Sequence, residues 1–451
     1  MRLFNTLGHQ KEEFKPLKDK VVNMYVCGPT VYDYDHLGHG RTFIIFDCIR
    51  RFLESEGYKV KYLQNITDVG HLTATEEGED KIEKKAKLEK KDPFEIARFF
   101  EKEHFADMEA LNVLKPDFSP RATDYISDFI KFIEKLIFKK HAYIIDGSVY
   151  FDVGNFGDYG KLSGRRVDEL IAGARLEPNP KKKNPADFAL WRKAAPEHLM
   201  QWDSPWGKGF PGWHIECSVM AQKFLGDTLD IHGGAVDLVF PHHENEIAQS
   251  EAANGKELAR FWLHSGMLSI NHQKMAKSLG NFITLKDVLK KYDSDTVRLA
   301  FLRTHWRRPF DWPASARAGR DGQEKALVEA KKMAIRLRRA RIEAQDVKTG
   351  YKTLIANALS DDFNTPKALS IIFEDLEKLG KSDFDYIEKV FGLTMRQEKI
   401  LTSEQKKMLG ERDIAREKED FKKADEIRKN LEKQGIIVED TTEGTRVLTL
   451  Q

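Results

Sequence analysis

The run from Val21 to Arg41, VVNMYVCGPTVYDYDHLGHGR, decides how the chain is read. Val21 to Val26 is short, mostly apolar and rich in β-branched residues, as expected of a buried strand, and Cys27, Gly28 and Pro29 stop it. His36-Leu37-Gly38-His39 follows, and from Thr42 to Glu56 apolar residues fall at helical spacing. Strand, glycine-containing loop and helix make the opening unit of a nucleotide-binding α/β fold, whose helix N-terminus is a ready anion site. Two imidazoles three residues apart, with Gly38 leaving room for backbone approach, can donate hydrogen bonds to a phosphate. Taken alone the run is equally a histidine-rich surface loop, so the rest of the chain has to arbitrate.

Outward from it, Lys59 to Ile66 is predicted as a second strand, with Asn65-Ile66-Thr67-Asp68 the polar loop leaving it, and Pro93 to Leu111 as an amphipathic helix. A new block begins at Asp117. Ile126, Phe129, Ile130, Ile133, Leu136 and Ile137 share a helical face, Ala142 to Val153 alternates as a hairpin around Asp146-Gly147, and Gly154 to Pro185 is irregular and rich in Gly, Pro and Lys. Order resumes at Phe188–Trp191, followed by a helix over Gly212–Leu225, a strand at Leu229–His232, a helix over His242–Ala253 begun by Pro241, and a strand-and-turn at Phe261–Gly266. This alternation on both sides of an insertion predicts an α/β fold, a Rossmann-like doubly wound parallel sheet split in two. Beyond Trp312, Ala316–Gln345, Tyr351–Leu379 and Ser403–Gln434 read as helices, and Gly435 precedes a strand-like run to Asp440. The expected division is 1–116 and 188–270 for the halves of the sheet, 117–187 for the insertion, 271–312 for a loop with linking helices, 313–400 for an all-α helical bundle and 401–451 for a small α+β tail.

At 451 residues the chain exceeds one compact core. No apolar run reaches the length of a membrane span, and the N-terminus MRLFNTLGHQKEEF lacks the layout of a secretory signal. Cys27, Cys48 and Cys217 are odd in number and scattered, which argues against a disulfide framework and points to the reducing cytoplasm. A net charge of +2, from 74 basic and 72 acidic residues, sets up no global field for a polyanion. Two basic runs, Lys81–Lys91 and Lys331–Arg341, are either solvated helix faces or phosphate contacts.

Chemistry enters at Lys274-Met275-Ala276-Lys277-Ser278, flanked by Gly280 and Asn281. Two lysines three apart on a loop can stabilise charge building on a leaving pyrophosphate. Paired with the upstream His36-Leu37-Gly38-His39, the sequence resembles the class I aminoacyl-tRNA synthetases, whose signatures are HIGH and KMSKS. The resemblance implies ATP-handling roles for His36, His39, Lys274 and Lys277, with Thr30, Gly38 and Ser278 beside them.

A second set is Cys27, Cys217 in Trp213-His214-Ile215-Glu216-Cys217, and His242 and Glu246 in HHENE. His242 and Glu246 are four apart and share a helix face, and two thiolates, an imidazole and a carboxylate are reasonable zinc ligands. Each alone reads equally as core packing. The surrounding words, MYVCGPTVYD, GWHIECS, DIHGG, FPHHENEIAQS and HSGML, are similar to the cysteinyl-tRNA synthetase family over nearly the whole chain. In that family the residues matching Cys27, Cys217, His242 and Glu246 bind one zinc ion, which the substrate thiolate then joins; Gly28, Thr67, Trp213 and His232 line the cysteine pocket. The resemblance further implies ATP with Mg2+, L-cysteine and tRNA-Cys as partners, and a monomer. Asp361–Pro366 looks like the start of the family's helical bundle, and Arg416, Asp425 and Asp440 match residues that read the anticodon.

Two departures stand out: Ala276 replaces the usual serine of KMSKS, and Asn65–Asp68 runs into Val69-Gly70-His71-Leu72-Thr73 and an acidic stretch before Asp80-Lys81-Ile82, where many members go directly into an aspartate-rich DDK. The alternatives are a cysteine:amino-sugar ligase of mycothiol synthesis and a catalytically silent tRNA-binding paralogue.

Overall fold

The computed structural model describes residues 1–72, 78–165, 181–275, 279–312, 322–395, 401–434, 436–441 and 444–449. At its centre is a parallel sheet of four strands, β1 (Val21–Val26), β2 (Lys59–Leu63), β3 (Leu229–Ala235) and β4 (Ala259–Ser265), in the order β4-β3-β1-β2. Two strands precede the insertion and two follow it, and the halves meet where Tyr25 of β1 pairs with His232 of β3. Ligands of such sheets bind in the crevice beyond the carboxyl ends of the strands where the winding reverses. Cys27 sits on that edge, its N–H donating to the Gly233 carbonyl at 3.1 Å. Gly28 has to be glycine there: a Cβ would fall 1.7 Å from the Asn65 carbonyl oxygen.

The helix after β1, α1 (Leu37–Ser55), starts five residues before the apolar pattern does. His36 is its N-cap, with Nδ1 accepting the His39 N–H at 3.2 Å, a position usually filled by a short polar side chain. Nearly every face of α1 is buried, charged residues included. Arg41 donates to the carbonyls of Gly266 and, at 2.7 Å, Arg308. Asp47 accepts from Arg51 at 2.8 Å and from the fully buried Arg298 at 2.5 Å. Arg298 also donates to the Phe391 carbonyl at 2.7 Å and the Leu111 carbonyl at 3.0 Å. One guanidinium thus joins α1, the end of the helix Pro93–Ala110, the helix Ser294–Leu302 and the helix Lys381–Phe391. Cys48 packs beside it in the core, as expected.

Three segments differ from expectation. The insertion's hairpin, Ala142–Ile145 with Ser148–Phe151, is extended by Phe188–Lys193 and Gly209–Pro211 into one antiparallel sheet, so that sheet runs on past residue 187. A buried apolar run does not disclose which sheet it joins. Tyr351–Leu379 breaks between the helices Tyr351–Ser360 and Thr365–Glu374, where Asp362 and Phe363 take positive φ of 62° and 47°. The buried Asp362 carboxylate accepts the Phe4 N–H at 2.9 Å and Arg307 at 2.6 Å, tying the bundle to the N-terminus. Ser403–Gln434 is two helices, Ser403–Glu417 and Phe421–Lys433, which with the strands Ile436–Thr441 and Gly444–Thr449 enclose a separate small core around Leu431, Ile436 and Val438.

The basic run Lys331–Arg341 is not a free stripe. Arg338 is buried against Asp293 and Asp295, at 2.8 Å each, and Arg341 pairs with Asp385 at 2.7 Å. Charge alternation along one helix carries no record of carboxylates supplied by another.

Without Arg298, Asp47 keeps only Arg51 and the buried carbonyls of Phe391 and Leu111 lose their donor, so Arg298→Met is expected to cost about 3–5 kcal/mol. The measurement is the urea midpoint by circular dichroism; a midpoint equal to that of the unaltered chain would show that Arg51 alone satisfies Asp47.

Candidate active site

Four donors converge beneath the β1–β3 edge. Cys27 follows β1, Cys217 lies in the first turn of α2 (Ile215–Leu225), and Glu246 lies in the first turn of α3 (Glu244–Asn254). His242 belongs to the wide turn Val239–His243 before α3 rather than to the helix itself, and still presents its ring to Glu246. His242 Nε2 is 3.0 Å from Glu246 Oε1 and 3.4 Å from Cys217 Sγ, and Cys27 Sγ is 3.7 Å from the same carboxylate oxygen. One donor atom of each lies within 4.8 Å of all the others, and all four residues are buried. Ligand bonds of about 2.0–2.3 Å around a tetrahedral centre put donors about 3.3–3.8 Å apart, so the set fits a zinc-sized ion.

Its electrostatics agree. Burial opposes the Glu246 carboxylate, but His232 and His242 hold it well below the usual carboxylate range. Burial likewise works against the Cys217 thiolate, yet the Cys27 hydrogen bond and His242 bring that thiol down to about 6. Cys27 is raised, by burial first and by its hydrogen bond with Cys217. A divalent cation would take the place of the protons these groups share.

The sequence singled out neither His243 nor His214. His243 Nε2 lies 3.1 Å from Cys27 Sγ, and its Nδ1 lies 2.8 Å from His264 Nε2. Cys27, His232, His243 and Glu246 form a second converging set. In it His232 Nε2 is already 2.7 Å from Glu246 Oε2, and only one sulfur is present, whereas the first set offers two thiols to a soft metal. The signal for His243 was its three-residue spacing from Glu246.

Above the donors opens a cavity of about 330 Å³, lined by Cys27, Gly28 and Thr30 on one side and by His36, His39 and Lys274 on the other. The two signature imidazoles stack, with centroids 3.8 Å apart. Burial, aided by the charge of His39, pushes His36 down to about 3, so it faces the cavity as a neutral ring whose Nδ1 is already used as a cap. His39 Nδ1 is 2.7 Å from Asp35 Oδ1, and His104 Nδ1 is 2.5 Å from Asp35 Oδ2. Burial works against the Asp35 carboxylate, but these two imidazoles hold it well below the usual range. Asp35 therefore fixes an N–H at Nδ1 of His39 and leaves Nε2 for the cavity. A Cβ on Gly38 would lie 2.9 Å from the His36 ring, so the space kept by that glycine is first of all for its own neighbour.

The second signature reaches the first through backbone. Leu37 N–H donates to the Ile283 carbonyl at 3.2 Å, and Leu285 N–H to the Asp35 carbonyl at 2.8 Å. Lys274 Nζ lies 3.9 Å from Asp237, and Ala276, Lys277 and Ser278 fall outside the described residues. Trp213 lines the cavity and stacks on His242 at 4.1 Å. Thr67 and His232 do not reach the cavity wall: the Thr67 hydroxyl donates to Glu216 at 2.8 Å, and His232 is turned to Glu246. In the tail, Asp440 accepts from Arg416 at 2.8 Å and from the buried Arg412 at 2.6 Å, while Asp425 pairs separately with Arg428 at 3.0 Å. Arg412 was not singled out by the sequence; Phe421, beside this group in the chain, is exposed.

Residues 13–318 match the family described as the tRNA synthetases class I (C) catalytic domain, residues 355–379 a DALR domain, and residues 399–447 the cysteinyl-tRNA ligase anticodon-binding domain. A cysteine–tRNA ligase of Chlorobaculum tepidum is 43% identical over 98% of both chains. One from Geobacillus thermodenitrificans is 43% identical over 99% of this chain and 98% of its own. A solved methionyl-tRNA synthetase of Mycobacterium tuberculosis, bound by methionyl-adenylate, shares the fold at a TM-score of 0.53 and 16% identity over 84% of each chain.

Asp35→Asn keeps the shape but can present an amide N–H to His39, favouring the wrong tautomer; a fall in turnover on the order of tenfold or more is expected. Steady-state pyrophosphate exchange measures it, and unchanged turnover would show that Asp35 serves only to pack His104.

Proposed function

We propose, for a chain that belongs to the cysteine–tRNA ligase family of class I aminoacyl-tRNA synthetases, that the cavity activates cysteine by holding its thiol at the four-donor centre and its ATP at the paired signatures. The family uses ATP to join an amino acid to tRNA, and this chain is a cysteine–tRNA ligase. The observation that carries the site assignment is the place of Cys27: it is at once a member of the donor set and part of the wall shared with His36, His39 and Lys274.

In the first step a cysteine carboxylate oxygen attacks the α-phosphorus of ATP, the bond to the pyrophosphate oxygen breaks, and cysteinyl-adenylate forms. In the second, a ribose hydroxyl of the terminal tRNA adenosine attacks the acyl carbon, loses its proton and releases AMP. His36 and His39 direct ring nitrogens at the phosphates, Lys274 brings an ammonium, and Asp35 keeps His39 oriented; these groups position and stabilise charge. Lys277 and Ser278 are assigned the same task by their place in the motif, with Thr30 on the loop after β1 and Gly38 in the first turn of α1.

Cys27, Cys217, His242 and Glu246 would hold one zinc ion per chain, which supplies a soft Lewis acid for the substrate sulfur. Cysteine and serine differ by one atom, and an apolar pocket separates such pairs only about a hundredfold. A thiolate-selective centre does better, because a hydroxyl resists deprotonation at neutral pH. Gly28 and Trp213 complete the pocket wall, and Thr67 and His232 act from behind it, through Glu216 and Glu246.

The same reading takes tRNA-Cys as the tRNA, Mg2+ as the companion of ATP, and a monomer in the cytoplasm as the working form. Three free cysteines suit a reducing compartment, and no helix among the described residues is long and apolar enough to cross a membrane. Arg416, Asp425 and Asp440 would meet splayed anticodon bases, with Arg412 bracing Asp440 from inside. The match of residues 399–447 to an anticodon-binding domain speaks against the amino-sugar ligase alternative.

Cys217→Ser removes one sulfur while conserving volume. The expected result is loss of bound zinc by elemental analysis, with cysteine-dependent ATP–pyrophosphate exchange lowered at least about a hundredfold. Full exchange without zinc would overturn the metal's role in selecting the thiol.

A further inference from the structure

The described stretches on either side of the loop after Asp68, 69–72 and 78–82, border the cavity through His71 and Lys81. Asp80 joins the two stretches: Oδ2 accepts the Gly70 N–H at 2.7 Å, and Oδ1 accepts the N–H groups of Ile82 at 2.8 Å and Glu83 at 3.1 Å. The Lys81 N–H donates to the His71 carbonyl at 3.0 Å, and Leu72 bridges to Asp80. The two arms of the loop are thereby held side by side, and His71 and Lys81 both line the cavity.

Their protons can be assigned from chemistry. Lys81 Nζ only donates, so His71 Nε2, 2.7 Å away, accepts; His71 Nδ1 then carries the proton toward Thr30 Oγ1 at 2.5 Å. The His71 ring lies flat on Trp213, with centroids 4.2 Å apart and planes 10° from parallel. Trp213 in turn stacks on His242 of the donor set. Lys81 is therefore one hydrogen bond and two ring stacks from the centre assigned to the substrate sulfur.

The ammonium is half-buried. Besides His71 it meets the face of Tyr32 at 5.6 Å, and among the described residues no carboxylate lies within ion-pair distance. Both oxygens of neighbouring Asp80 are spent on N–H groups. Burial pulls Lys81 down to about 8 against the attraction of Asp80, and Lys274 across the cavity adds to the fall. Two ammonium groups facing one cavity call for an anion between them.

We propose that Lys81 binds the α-carboxylate of the cysteine substrate, with His71 holding the ammonium in place. The inference rests on the ligase reading above. With sulfur at the donor set, the carboxylate extends a few bonds toward Trp213 and His71, whereas His36, His39 and Lys274 take the phosphates. Activation brings two anions together: the carboxylate oxygen forms its bond to the α-phosphorus as the bond to pyrophosphate breaks, and the electron pair leaves with pyrophosphate. Lys81 keeps its proton throughout, lowering the repulsion and aiming the attacking oxygen.

The test compares cysteine with cysteamine, which keeps the thiol and the amine but has no carboxylate. In Lys81→Met the KM for cysteine in ATP–pyrophosphate exchange is expected to rise at least about tenfold, as for loss of a charge-assisted hydrogen bond. The inhibition constant of cysteamine should stay within about twofold, which also certifies that the variant is folded. Lys81→Arg should recover part of the cysteine affinity. A KM for cysteine that does not change, or equal weakening of cysteine and cysteamine, would overturn the proposal. Absence of exchange in the unaltered protein would instead overturn the ligase reading, and this inference with it.

Discussion

The rest of the structure depends on keeping two thiols, an imidazole and a carboxylate together out of water. Burying ionisable groups without compensation is expensive, and here the compensation is mutual: Glu246 is flanked by His232 and His242, and Cys217 by Cys27 and His242. Contributions come from the end of β1, from α2 and from the start of α3, so the cluster forms only when the two halves of the sheet have paired. Tyr25 beside His232 in the β1–β3 register is the seam on which that pairing rests.

Around it the signatures are fastened by groups that touch no cavity. Arg41 anchors α1 to the carbonyls of Gly266 and Arg308, near the strand pair that carries Lys274. Arg298 and Asp47 join the same helix to the bundle, and Asp362 joins the bundle to the N-terminal strand.

Much of this was legible in the sequence because it lies in local words. The β1 pattern ran cleanly into its stop at Cys27, the alternation on either side of the insertion predicted the split sheet, and the four donors stand in phrases that resemble one family closely. What stayed hidden was set by tertiary contact. Nothing near Phe188–Trp191 indicates that it pairs with the insertion's hairpin. Nothing in Lys331–Arg341 reveals that Arg338 and Arg341 find carboxylates on other helices. Asp35, His104 and His243 needed partners 69 and 216 residues away in the sequence to acquire meaning. The break at Asp361–Asn364 was masked because an aspartate and a phenylalanine, not glycines, take the left-handed conformation there.

The central claim is that the substrate thiol is recognised by joining a centre already holding two protein sulfurs. X-ray absorption at the zinc edge, on protein alone and with cysteine or serine added, addresses it directly. The account predicts two sulfur ligands at about 2.3 Å, rising to three with cysteine and unchanged with serine. A single sulfur in the free protein would place the ion among Cys27, His232, His243 and Glu246 instead, and a count that does not rise with cysteine would contradict thiol coordination as the source of selectivity.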